Sequence, residues 1–215
     1  AAPFLLIRRL RRGPGSLSIS ERLGGVPVRP VSARCVWIHA VSLGEVNATR
    51  TLVRELRKRS PDVVIAISAT TQTGLTQART IYSGEIVFRF PLDFSFIIRR
   101  VLNRLRPTVI VLMELEVWPN CLELARRAGV PVMIANGRVT EQKSMRRFQS
   151  PLIRPLSRWM FKRINWVGAQ DETYADRFRQ LGVPADRVEV VGSMKYDDFN
   201  AIRRDAELSK TVGSR

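Results

Sequence analysis

Histidine occurs once and cysteine twice in this chain of 215 residues. The lone His39 excludes a site built on several histidines. Cys35 and Cys121 have no metal-ligand spacing, and each falls in an apolar stretch, so both read as buried thiols in a reducing compartment. No metal and no cofactor is expected. Long apolar runs are also missing: nothing approaches the ~20 residues needed to cross a bilayer as a helix. Neither a GK[ST] phosphate loop nor a GxGxxG turn occurs, so the chain carries no nucleotide-binding fingerprint. Lysine is scarce, supplying only five of 36 basic residues, and acids number just 19.

Arginine is what the chain has instead. It supplies most of a net charge of +17 on a composition that is 45% apolar and 26% charged, otherwise ordinary for a globular domain. A guanidinium fork matches phosphate oxygens and keeps its proton at any physiological pH. The charge therefore indicates an acidic partner (nucleic acid, anionic lipid or nucleotide), although an arginine-favouring genome would give the same count. Against nucleic acid, the aromatics sit within or beside apolar stretches and form no stacking platform.

The opening "AAPFLLIRRLRRGPG" joins a short apolar cluster to four arginines, and residues 1–12 read as a truncated anchor at a membrane surface. Residues 13–34, with Gly, Pro and Ser and little periodicity, read as a connecting segment. From Cys35 the pattern alternates. Strands are predicted at 35–41, 63–68, 85–90, 108–113, 131–136, 165–170 and 187–192, with amphipathic stretches such as "GEVNATRTLVRELRKR" between them. Strand and helix in turn imply parallel pairing through right-handed crossovers, and near-continuous apolar strands imply a sheet covered on both faces. The expectation for residues 35–200 is an α/β domain: a Rossmann-like, doubly wound, mainly parallel sheet. Residues 201–215 read as a polar tail or the start of a linker.

Open sheets of this kind bind ligands beyond the carboxyl ends of their strands, and the unusual clusters gather there. "SLGE" follows the first strand, "SATTQTG" the second, "FPLDFS" the third, "ELEVWPN" the fourth, "ANGRVT" the fifth, "AQDET" the sixth and "GSMKYDD" the seventh. Asp93, Ser68, Asp171 and Thr140 read as caps or turn residues. Glu45 stands where a helix begins, either as a first-turn residue stabilising that helix or as an accessible base for a hydroxyl proton. The helix dipole weakens such a base unless burial or a neighbouring acid compensates. Glu114 and Glu116, two apart in extended chain, should point to opposite sides, so one at most faces a reaction centre. Lys195 is either a surface lysine or a cation for a phosphate or oxyanion. "SATTQTG" offers hydroxyls and a glycine before a helix, a plausible anion cradle. Arg138 meets either a phosphate or a nearby acid.

As a set, "HAVSLGE", "TTQTG", "MELEVWPN", "ANGRVT", "GAQDET" and "VVGSMKYD" resemble, in order, the N-terminal half of the 3-deoxy-D-manno-octulosonic acid (Kdo) transferases of lipid A biosynthesis. The resemblance covers about residues 35–198. Leu115 departs from the family's usual Thr in M-E-T-E, and Gly137 from its usual Ala in A-N-A-R. The resemblance implies the acceptor-binding N-terminal domain of a GT-B glycosyltransferase, transferring Kdo from CMP-Kdo to lipid IVA with inversion and without a metal. It implies a place at the cytoplasmic face of the bacterial inner membrane, peripheral or monotopic. It also implies Glu45 as general base, with Glu114 and Lys195 stabilising the transition state. The candidate substrate-binding set is Ser42, Gly44, Thr70, Thr71, Thr73, Gly74, Glu116, Asn136 and Arg138. The donor-binding C-terminal domain and the family's longer membrane segment are not in this sequence, so the chain alone is expected to depend on a donor half for turnover. Two rival readings keep the fold without this chemistry: a non-catalytic module binding anionic lipid, and a basic nucleic-acid-binding domain.

Overall fold

Seven strands, β1 (Cys35–Ala40), β2 (Val64–Ala69), β3 (Ile86–Arg89), β4 (Val109–Met113), β5 (Val132–Gly137), β6 (Trp166–Ala169) and β7 (Val188–Val190), build one sheet in the computed structural model, which describes residues 19–29 and 33–194. Their order across the sheet is β3-β2-β1-β4-β5-β6-β7. Every pairing is parallel. All seven predicted strands are present, and the Rossmann-like expectation holds.

The helices are α1 (Ile19–Arg22), α2 (Leu43–Arg59), α3 (Gln72–Ile81), α4 (Ser95–Leu105), α5 (Pro119–Arg127), α6 (Arg146–Gln149), α7 (Arg154–Phe161) and α8 (Glu172–Leu181). They cover both faces, which the alternation along β1 makes visible. Cys35 and Trp37 belong to a core shared with α4, α5, α7 and α8, whereas Val36, Ile38 and Ala40 join α2 and α3 on the opposite face. Because both faces are covered, every residue of β1 is buried. Helix α4 buries Ile97, Ile98, Val101, Leu102 and Leu105 on one stripe. At roughly 1.5–3 kcal/mol for each such side chain, burial outweighs helix propensity in holding it there.

One buried polar ladder crosses this core. The Trp37 indole donates to Ser68 Oγ at 2.8 Å, Ser68 Oγ lies 3.0 Å from His39 Nδ1, and His39 stacks on Phe90 with ring centroids 3.9 Å apart. Ser68 is thus an inward-facing strand residue and not the helix cap its flanking turn suggested. Cys35 and Cys121 are free and buried, as expected.

The described part of residues 13–34 is packed onto the domain. Val26 is buried, the Arg29 amide donates to Arg104 O at 2.9 Å, and the Arg29 guanidinium donates to Leu105 O at 3.0 Å. Glu21 adds an ion pair with Arg79 at 2.6 Å and accepts from Arg89 N–H at 3.1 Å, and such polar contacts leave no hydrophobic period to read. Residues 1–12 and 201–215 lie outside the described residues, so the anchor and tail readings stay expectations. Among the described residues no helix is long and apolar enough to cross a membrane.

The strand order contains one reversal. The chain steps outward through β1, β2 and β3, then returns to lay β4 against the free side of β1. The chain leaves β1 toward β2 and β4 toward β5, so their adjacent carboxyl ends form the topological switch point, where sheets of this class open a ligand crevice.

Candidate functional site

Glu45, in the first turn of α2, and Glu114, directly after β4, stand at that switch point. The Glu45 carboxylate is held from two sides: Val41 N–H donates to Oε2 at 2.9 Å and the Ser42 hydroxyl to Oε1 at 3.0 Å. In return Ser42 Oγ caps α2 by accepting from Glu45 N–H. This reciprocal arrangement follows from the spacing S-x-x-E at a helix start. The first-turn structural role and the orientation of the acid are therefore one device.

Burial pushes the Glu45 carboxyl up from the ordinary glutamate value, and the negative charge of Glu114 pushes it the same way. The Val41 and Ser42 hydrogen bonds pull it down but do not prevail. Both compensations needed to keep a base at a helix N-terminus are present, burial the larger.

Glu114 does not continue the extended chain of β4. Its φ is 55°, in the left-handed region, while its N–H still donates to Ala135 O at 3.0 Å. The extended geometry assumed for Glu114 and Glu116 does not hold, because the chain turns at Glu114 itself. Glu116 lies half-buried in the same turn. Asn136, at the end of neighbouring β5, also has φ 55°, and the pairing of β5 with β6 shifts register between Ile134 and Gly137. Two non-glycine residues in this sparsely populated region at adjacent strand ends mark a site whose geometry the surrounding fold enforces.

Asn136 is fully buried and ties three segments together. Its Oδ1 accepts from Met194 N–H at 3.1 Å, its carbonyl accepts from Gln170 Nε2 at 3.1 Å, and its Nδ2 has no partner among the described residues. Met194 precedes Lys195 in sequence, and Lys195 lies outside the described residues. Arg138 is exposed, donates to Tyr174 Oη at 3.2 Å, and is raised in pKa by that bond, with the Glu114 charge a smaller contribution. Glu45, Glu114 and Arg138 thus share one electrostatic neighbourhood.

The second loop plays a different part. Thr71 caps α3 by accepting from Gly74 N–H at 3.1 Å, and its hydroxyl and N–H both donate to Val41 O, at 2.9 and 3.0 Å. A Cβ on Gly74 would lie 3.1 Å from both Val41 O and Ser42 C. Thr71 and Gly74 are accordingly spent on docking this loop against the Glu45 loop. Thr73 remains exposed, and Thr70 Oγ1 is buried without a partner among the described residues. Gly44 contrasts with Gly74: it is exposed, and a Cβ there would meet only Ser42 Oγ, at 4.0 Å. Packing does not require that glycine, and it leaves open room beside the Glu45 carboxylate.

Two contributors escaped the sequence reading, and a third, Asp93, was read as a cap without the helix it serves. Val41 acts through backbone atoms, which no residue identity betrays. Tyr174 was hidden behind its neighbour Asp171, which does cap α8 by accepting from Tyr174 N–H at 2.8 Å. Asp93 caps a helix that is not its own, accepting from Asn120 N–H at 3.0 Å and Cys121 N–H at 2.8 Å at the start of α5. Thr140 precedes the irregular turn at Glu141–Met145 and makes no side-chain cap. Among the described residues no group of three or more His, Cys, Asp or Glu could hold a metal ion.

The chain is similar to known proteins in sequence and in fold. The chain is 33% identical over 181 residues to 3-deoxy-D-manno-octulosonic acid transferase of Haemophilus influenzae, covering 83% of this chain and 40% of the relative. It is 31% identical over 198 residues to the same-named protein of Chlamydia pneumoniae, covering 91% of this chain and 45% of the relative. The chain therefore spans less than half the length of these relatives. In fold it is similar to the crystal structure of UDP-GlcNAc 2-epimerase from Neisseria meningitidis, with TM-score 0.56 at 16% identity, covering 82% of this chain and 51% of that one. That likeness bears on architecture alone, and it agrees with a Rossmann-like half of a GT-B-type molecule. The family described as 3-deoxy-D-manno-octulosonic-acid transferase (kdotransferase) matches residues 18–198, and with the motifs of the crevice falling inside that span, the chain belongs to the N-terminal domain family of the Kdo transferases.

Proposed function

We propose that this chain is the acceptor-binding half of an inverting, metal-independent glycosyltransferase that moves Kdo from CMP-Kdo to lipid IVA at the cytoplasmic face of the bacterial inner membrane. The observation that carries the reading is the Glu45 carboxylate, fixed by Val41 and Ser42 and made more basic by burial and by Glu114. An acceptor hydroxyl beside Gly44 attacks the anomeric carbon of the donor. The new C–O bond forms as the bond from that carbon to the CMP phosphate oxygen breaks, and Glu45 takes the hydroxyl proton. Glu114 contributes by sustaining the basicity of Glu45 and by charge in the transition state, and Lys195 is assigned to the opposite charge developing on the phosphate.

The acceptor is anionic, and Arg138 with Tyr174 offers a preoriented guanidinium to one of its phosphates. Thr70, Thr73 and Asn136 supply uncharged donors from adjacent loops, with Glu116 in the neighbouring turn. The donor is held mainly by a second domain outside this sequence. The test joins this chain to the donor-binding half of the Haemophilus influenzae relative and measures CMP release from CMP-Kdo with lipid IVA. Acceptor-dependent release is the expected result. Tight binding of lipid IVA with no release would leave only a lipid-binding module.

A further inference from the structure

On the helical layer beside β6, a cavity of ≈ 250 Å³ opens between α6, α7 and α8. Its floor is Ser157, 1% exposed, whose hydroxyl has no hydrogen-bond partner among the described residues. Buried hydroxyls are almost always bonded, so an orphan at the base of a cavity calls for a reason. Arg154 and Arg158, one turn apart on α7, stand at the rim, and neither makes an ion pair among the described residues. Gln149 lines the cavity from α6 and Gln180 from α8, and no acidic residue lines it.

What sets these two arginines apart is the orphan hydroxyl between them. Arg126 and Arg127, by contrast, share Glu123, and Arg179 holds both Glu172 and Asp176. Here two unpaired guanidiniums flank a buried hydroxyl. The wall is apolar: Phe148, held edge-on against Phe161 with centroids 5.3 Å apart, and Leu181. Gly182, with φ 111°, ends α8 in a left-handed turn that lies against Arg158 of α7. The cavity is separate from the Glu45 crevice. Helix α8 starts at the carboxyl edge of the sheet, and Gln180 and Leu181 lie at its far end, about 12–13 Å along at roughly 1.5 Å per residue.

We propose that this cavity binds a small phosphate monoester, its phosphate between Arg154, Arg158 and the Ser157 hydroxyl and its organic group against Phe148 and Leu181. The volume admits a phosphate with a body of a few carbon atoms, either free in solution or as the headgroup of a lipid. Two guanidiniums supply paired, charge-assisted donors, and the hydroxyl supplies the third.

The chain is titrated calorimetrically with glycerol 3-phosphate, with glycerol as the uncharged control. Saturable binding is expected for the phosphate alone, weakened about tenfold by Arg158→Gln through loss of one charge-assisted bond. Ser157→Ala should weaken it by a smaller factor, and Arg99→Gln, on the exposed side of α4, should leave it unchanged. Vesicles of phosphatidic acid in phosphatidylcholine distinguish the sources: competition with glycerol 3-phosphate assigns the site to a lipid headgroup, and its absence to a soluble ester. No binding, or equal weakening by Arg99→Gln, would overturn the proposal. So would a lower melting temperature for Ser157→Ala, which would show that the hydroxyl is bonded within the fold.

Discussion

Glu114, where β4 ends, raises the proton affinity of Glu45, where α2 begins. The two acids come from strands far apart in sequence that the reversal in strand order makes neighbours. A helix N-terminus by itself favours an ionised carboxylate and so a feeble base. Burial and the second acid reverse that tendency, and Val41 and Ser42 meanwhile fix where the oxygens lie.

The activity of the joined enzyme should rise with pH through a midpoint above 4.5, the ordinary glutamate value. Glu114→Gln removes the like charge and should move that midpoint down, as a pH profile of kcat/KM would show. Stability runs the other way. Between 4.5 and its higher folded value Glu45 holds its proton more tightly in the folded chain, so stability falls as pH rises through that window. Glu45→Gln should flatten this fall in urea titrations and lower turnover about 10²–10⁴-fold. A midpoint unmoved by Glu114→Gln would remove its charge from the account.

Gly44→Ala and Gly74→Ala should separate binding from folding. The first meets open space in a helix and should change stability by less than about 1 kcal/mol, yet raise KM for the acceptor. The second drives a methyl against the backbone of Val41 and Ser42 and should cost about 1–3 kcal/mol. Denaturation midpoints and acceptor kinetics on both variants decide this. Unchanged KM in Gly44→Ala would mean that nothing approaches there.

Asn136 combines a left-handed backbone with a buried amide, and two variants divide these roles. Asn136→Ala loses the bond to Met194 N–H and keeps the unfavourable φ, for about 2–3 kcal/mol. Asn136→Gly loses the bond but relieves the backbone, so it should fold more stably than the alanine variant by about 1 kcal/mol. Equal stability of the two would show that φ 55° carries no strain at this position.

The single histidine makes a clean probe. Burial lowers His39 from 6.5 to about 3, against a smaller opposing effect of Ser68. Its imidazole resonances should therefore stay those of the neutral ring across roughly pH 5–8. The unfolded chain takes up this proton near 6.5 and the folded chain does not, so stability is full above 6.5 and declines as pH falls toward 3. An imidazole titrating near 6.5 in the folded chain would contradict its burial.

The strands were legible because parallel strands covered on both faces must be apolar throughout, as "VVIAIS" and "TVIVLM" are. Glu45 was legible as a candidate because S-x-x-E at a strand-to-helix junction is a local pattern. Its basicity was not, since that depends on how deeply α2 sinks and on which loop lies across the crevice. The turn at Glu114 was misread because extended geometry was carried one residue too far, and nothing in "MELE" announces a left-handed residue. Asp93 was seen as an ordinary cap, yet the helix it serves is α5, reached only once β4 has been placed. Side chains acting across loops, and main-chain groups such as Val41, leave no trace in residue order.

The Val41 carbonyl accepts from both the amide and the hydroxyl of Thr71, while the Val41 amide grips Glu45. One peptide segment thereby couples the second crossover to the Glu45 carboxylate. Under the proposed transfer, a change in α3 that never meets a substrate should register as a misaimed proton acceptor, because the carboxylate's orientation is set before any hydroxyl arrives.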